Sequence, residues 1–109
     1  MPLSTQPESI LVIRSGAVGD FVLTTPVIAS LRSAYPCAHL KVCGNPDRVA
    51  LISDLIEDTL DINAAAWAPF FVRNSAPVGD LARQISSTDL IVNFLPDPDN
   101  VFSENLRSL

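Results

Sequence analysis

Residues 10–26 read ILVIRSGAVGDFVLTTP, and this stretch decides the fold. Ile10-Leu11-Val12-Ile13 is an unbroken apolar run with β-branched residues, the pattern of a strand buried on both faces of a parallel sheet. It runs through Arg14 into a turn that holds Gly16 and Gly19 and closes on Asp20. Beyond the turn, Val22, Val27, Ile28, Leu31 and Ala34 recur near helical spacing, and Pro36 disfavours helical geometry at Tyr35. A first helix is therefore predicted from about Asp20 to Tyr35. Pro26 admits either a helix capped by Thr25 or a longer helix kinked at the proline, and the longer helix is expected.

The same reading extends down the chain. HLKVCG (39–44) reads as a second strand, and NPDRVALISDLI (45–56) as a second helix with Asn45 as N-cap and Pro46 at the first helical position. DTLDI (58–62) reads as a short third strand, VGDLARQI (78–85) as a short helix, and DLIVNFL (89–95) as another buried strand. Residues 63–77 show no clear period, and NVFSENLRSL (100–109) looks helical without a stop signal, as in a truncated chain. Strands alternating with helices imply βαβ units, so the predicted fold class is α/β: a Rossmann-like parallel sheet with flanking helices. Ile10–Arg14 should be central, between Leu40–Cys43 and Leu90–Phe94. A sheet left incomplete at one edge should self-associate.

The 109 residues suit one domain or part of one, and 48% hydrophobic against 17% charged residues indicates a globular chain. A formal charge of −5, with seven scattered basic residues, disfavours nucleic acid as a partner. MPLSTQPES lacks the apolar core of a secretory signal, and no apolar run approaches the roughly 20 residues of a membrane-spanning helix. A cytoplasmic protein without a transmembrane segment is expected, with peripheral membrane contact left open. Cys37 and Cys43 are separated by a segment read as extended, so they are expected to be free thiols.

His39 is the sole histidine, and no His, Cys or carboxylate cluster has ligand spacing, so no metal is expected. Trp67, Phe70 and Phe71 could face a sugar or a lipid, but core packing is the expected role. Asp97 and Asp99 flank Pro98 and read as turn residues.

The glycine turn lies where open α/β sheets bind ligands, at the carboxyl end of a strand. A dinucleotide fingerprint requires G-x-G-x-x-G, and the aligned residues here are Arg14-Ser15-Gly16-Ala17-Val18-Gly19, without the first glycine. The second strand also ends in Val42-Cys43-Gly44-Asn45, with no acid for a ribose. A carboxylate at the helix N-terminus would repel a pyrophosphate, and no lysine follows the glycines as a P-loop requires. Asp20 reads as an N-cap, a role compatible with a second one, because a carboxylate held by helix N–H groups stays ionised and can serve as a positioned base.

The segment ILVIRSGAVGDFVLTTPVIASLRSAYPCAHL resembles the N-terminal segment of glycosyltransferase family 9, the lipopolysaccharide heptosyltransferases. The matching positions are Ile10–Ile13, Arg14, the small-residue turn, Gly19-Asp20, Thr24 or Thr25, Pro26, Leu31-Arg32, Tyr35 and Pro36-Cys37-Ala38. The resemblance implies that residues 1–109 are part of the N-terminal, acceptor-side Rossmann-like domain of a GT-B fold, and that the C-terminal donor-binding domain is absent from this chain. It implies an inverting transferase that moves a sugar, a heptose from ADP-heptose, onto a lipopolysaccharide-type saccharide acceptor, with no cofactor and no metal. Asp20 would be the base, and Arg14, Ser15, Gly16, Ala17, Val18 and Gly19 would line the cleft. The isolated fragment would be inactive. Family members often carry an Asp-x-Gln-Gly-like run after the last strand, whereas this chain has Asn93-Phe94-Leu95-Pro96, so the acceptor stays open. The competing reading is a non-catalytic Rossmann-like module that binds a saccharide or a nucleotide.

Overall fold

The strand read from Ile10–Ile13 pairs on both edges. In the computed structural model, which describes residues 6–14 and 18–109 with the side chains of residues 18–21 excepted, β1 spans Ser9–Ile13 and lies between β2 (His39–Gly44) and β4 (Leu90–Asn93). β3 (Asp58–Asp61) adds to β2, giving the order β3-β2-β1-β4 with every pair parallel. Val12 stands in register with Val42 on one side and Val92 on the other, as expected for a central β1.

Alternation along β1 builds two cores. Ile10 and Val12 face one layer with Leu40, Val42, Ile28, Val49 and Ile52, while Leu11 and Ile13 face the other with Cys43, Trp67, Phe70, Ile85 and Phe102. The first layer is covered by α1 (Val18–Ala34) and the segment after β2; the second by a 3-10 segment (Ala65–Phe71), α3 (Asp80–Ser86) and α4 (Val101–Arg107). α1 runs unbroken through Pro26, so it does not begin at Thr25. Because Pro26 has no N–H, the carbonyl of Val22 lacks its usual helical donor.

Two segments depart from the local reading. The helix expected over residues 45–56 is one α-helical turn, α2 (Pro46–Val49), followed by a 3-10 segment, Ala50–Leu55. Ile52 leaves helical geometry at φ −122° and ψ 23°, where its side chain is buried in the first core. The chain must turn there because Glu57 N donates to Leu40 O at 2.9 Å and holds the approach to β3 beside β2. The region without a period, residues 63–77, contains the 3-10 segment, whose spacing of three brings Trp67 and Phe70 to the same buried side.

Arg32 locks this arrangement. Its Nε donates to Leu55 O at 2.8 Å, its Nη1 to Ala38 O at 3.0 Å and Pro36 O at 3.2 Å, and its Nη2 to both Glu57 oxygens at 2.7 and 2.5 Å. Glu57 Oε2 also accepts from Leu40 N at 2.8 Å. One planar guanidinium thus joins the end of α1, the loop into β2 and the approach to β3. Burial pushes the Glu57 carboxyl up, but the Leu40 N–H and the Arg32 guanidinium outweigh it and hold the group below its ordinary 4.5.

Gly44 meets a second constraint. A Cβ there would come within 2.6 Å of Arg14 O and 3.4 Å of the Val49 side chain, because Arg14 N donates to Cys43 O at 2.9 Å and draws the two backbones together. Two outcomes are expected. Gly44→Ala should lower stability by about 2 kcal/mol, from overpacking against backbone, read as the urea midpoint at constant m-value. The folded-state value of Glu57 is depressed, so the clasp contributes fully above about pH 5 and is lost as pH falls through that value. Stability measured from about pH 5 down to about pH 3 should fall, and Glu57→Gln should reduce the slope of that fall.

Candidate functional site

Parallel strands end together, and here their carboxyl ends form one rim from Asp61 through Gly44 and Arg14 to Phe94. Arg14 is half-buried on it. Its Nη1 donates to Phe94 O at 3.2 Å and its guanidinium carbon lies 5.9 Å from the Phe94 ring centre, so the side chain bridges the ends of β1 and β4. Phe94 N in turn donates to Ile13 O at 2.9 Å. Of the other residues predicted for the site, Ser15, Gly16 and Ala17 lie outside the described residues. The backbone of Val18, Gly19 and Asp20 forms the first turn of the 17-residue α1, and their side chains lie outside the description; because α1 begins at Val18, Asp20 is its third residue and not the N-cap expected from the sequence.

Around the rim, short polar side chains fix the backbone. Asn45 Oδ1 accepts from Asp47 N at 3.0 Å, as its N-cap reading requires. Asp61 Oδ1 accepts from Asn63 N at 2.9 Å and Asn93 Oδ1 from Leu95 N at 3.0 Å, each turning the chain as it leaves its strand. Asp97 keeps its structural reading with a sharper role. Its carboxylate accepts from Phe102 N at 3.2 Å and Ser103 N at 2.8 Å and caps α4. Burial pushes Asp97 up, but these N–H groups and the Ser103 hydroxyl hold it below the usual carboxylate range.

Sequence reasoning passed over Asn105, which is buried and donates from Nδ2 to Phe70 O at 2.8 Å and Val72 O at 3.0 Å. An Asn three residues after Phe102, on the same side of a helix, was the available signal. Trp67 and Phe70 are core residues packed around Phe102, whereas Phe71 is half-exposed and stacks on Phe102 with ring centres 4.8 Å apart. A groove of about 250 Å³ between β4 and α4, lined by Ile91, Asn93, Ser103, Leu106 and Arg107, reaches the rim at Asn93.

The cysteines offer no nucleophile at the rim. Both are free; Cys43 is buried, and burial, followed by the charge of Asp61, pushes its thiol up to about 12. Among the described residues no three His, Cys, Asp or Glu side chains gather where a metal could bind, and no helix is long and apolar enough to cross a membrane.

No family model and no curated protein matches the sequence. Among solved structures, the fold is similar to one described as glycosyl transferase family 9 from Veillonella parvula, with a TM-score of 0.64 and 23% identity over 99% of this chain and 30% of that one. The chain shares that fold. It spans about 30% of the length of that structure, so the likeness concerns a part of it. At 23% identity the likeness shows the fold, and the family named for that structure is the one that residues 10–40 resemble.

A thiol titration checks the environments at the two ends of β2. Under native conditions Cys37, which is exposed, should react at once with a disulfide reagent, and Cys43 only on unfolding.

Proposed function

We propose that this chain forms the acceptor side of an inverting glycosyltransferase, with Asp20 as the base and the turn from Arg14 to Gly19 lining the cleft. The observation that carries the reading is the place of Asp20. It sits in the first turn of a long helix directly beyond the central strand, at the carboxyl ends where open α/β sheets hold ligands. The helix N-terminus favours the ionised carboxylate. A sugar hydroxyl is a poor nucleophile and must lose its proton as its oxygen bonds to the anomeric carbon. Asp20 takes that proton while the bond from the anomeric carbon to the nucleotide diphosphate breaks, the electron pair leaving with the diphosphate. The resemblance supplies the finer identities: a heptose from ADP-heptose as donor, a lipopolysaccharide-type saccharide as acceptor, and a cytoplasmic setting.

The donor belongs to a second domain in the resemblance, so residues 1–109 alone are proposed to transfer no sugar. Catalysis of this kind depends on holding both substrates together, which can supply about 7–11 kcal/mol of the barrier. The outer edge of β4, beyond which no strand is described, supports self-association of the isolated chain.

In a protein carrying both domains, Asp20→Asn should keep the size and polarity of the side chain in the first turn of α1 and lower turnover by about 10²–10⁴. Asp20→Ala should lose the rate and also, with the carboxylate gone from the positive end of the helix, about 0.5 kcal/mol of stability. Turnover and melting temperature of the two variants decide the matter. Near-wild-type turnover in Asp20→Asn would leave Asp20 a first-turn partner of the helix dipole and favour the non-catalytic saccharide- or nucleotide-binding module.

A further inference from the structure

The rim carries a second arginine besides Arg14. Arg48 lies in α2, the single turn that follows the end of β2. That turn is rigidly held, since Arg48 N and Val49 N both donate to Asn45 O at 3.0 Å. The side chain is half-buried, and its Nε–H is buried with no hydrogen-bond partner. Ion pairs elsewhere join Arg32 to Glu57 and Arg83 to Asp80, and neither the adjacent Asp47 nor Asp61 at the end of β3 pairs with Arg48.

A buried donor without a partner costs stability, and in a chain of net charge −5 an unpaired guanidinium has carboxylates to choose from. Arg32 shows the alternative in the same fold, with all three of its nitrogens engaged. The location adds a direction. The Cα–Cβ bond of a helical residue tilts toward the helix N-terminus, which for Arg48 is the rim. There the bare Cα of Gly44 brings Arg14 O and the Val49 side chain within contact of one point, so the turn bearing Arg48 adjoins Arg14.

We infer that Arg48 is an anion-binding residue of the rim, receiving an oxyanion, phosphate or carboxylate, of the molecule bound there. The planar fork of donors suits two oxygens of such a group. The inference rests on the acceptor-side reading for the ligand being a saccharide, but its own content is the charge of the group that ligand carries.

The test uses inorganic phosphate and glucuronate as probes, titrated into the chain and followed by NMR chemical shifts, with melting temperatures in parallel. Wild type should bind one of them saturably in the millimolar range. Arg48→Met, which keeps the apolar stem and removes every donor, should bind at least about tenfold more weakly, and Arg48→Lys should fall between. Without anion, Arg48→Met should melt at or above the wild-type temperature, because the unpartnered donor is gone, and it should lose the anion-dependent rise. Tighter phosphate binding would assign a phosphate ester to the ligand, tighter glucuronate binding a sugar carboxylate. Binding by Arg48→Met within about twofold of wild type, or no saturable binding of either probe by wild type, overturns the inference. Arg48→Gln serves the same comparison if the methionine variant does not fold. These readouts are independent of sugar transfer, so their failure is separate from any failure of Asp20 as a base.

Discussion

β1 is used four times over, hydrogen-bonded on both edges and packed on both faces, and the rest of the structure depends on that constraint. A strand in this position can carry no polar side chain within its buried run, and Ile10 to Ile13 carry none. Parallel pairing on both sides then aligns the ends of β1, β2 and β4, so the loops that follow them emerge at one level. The rim is a consequence of that alignment. It places Arg14, Gly44 and Asn93 beside the start of α1 without any of these residues being adjacent in sequence.

A sheet built on one central strand still needs its layers fixed relative to one another, and polar groups do this at a few points. From the end of α1, Arg32 satisfies carbonyls of the loop into β2 and of the approach to β3, and Glu57 returns the charge while holding the start of β2. On the opposite face Asn105 does comparable work for the 3-10 segment, and Asp97 for the first turn of α4. At the amino-terminal end, Asp89 accepts from the backbone of Glu8 and Ser9 and sets β4 against β1. All of these anchors but Asp97 join residues far apart in sequence. Losing one would therefore loosen a layer rather than a single turn.

Strand positions were legible because a short apolar run bounded by polar or turn residues has few alternatives, and the strand order followed from alternation with helices. The helix expected over 45–56 was misread for the opposite reason. Its apolar spacing continues past Val49, but the bend at Ile52 is imposed by the pairing of Glu57 with Leu40, which no local period encodes. The 3-10 segment escaped notice because a period of three over seven residues, interrupted by Pro69, leaves too few apolar positions to register. Gly44 was read only as the absence of an acid, since the carbonyl that excludes its Cβ comes from a residue thirty positions away.

The candidate site divides along the same line. The sequence by itself determined an α/β fold with a buried first strand, a helix following it, and a resemblance dense enough to suggest glycosyl transfer, because each of these depends on residues close together in the chain. Only the tertiary structure decided that Arg14 reaches across to Phe94, that Arg32 is a structural clasp, and that Arg48 stands at the rim with a buried donor unmet. The physical reason is that an arginine's role is set by which acceptors lie within hydrogen-bond distance. In a parallel α/β sheet those acceptors come from the segments that enter and leave neighbouring strands, whose separation in sequence is fixed by the crossovers between them.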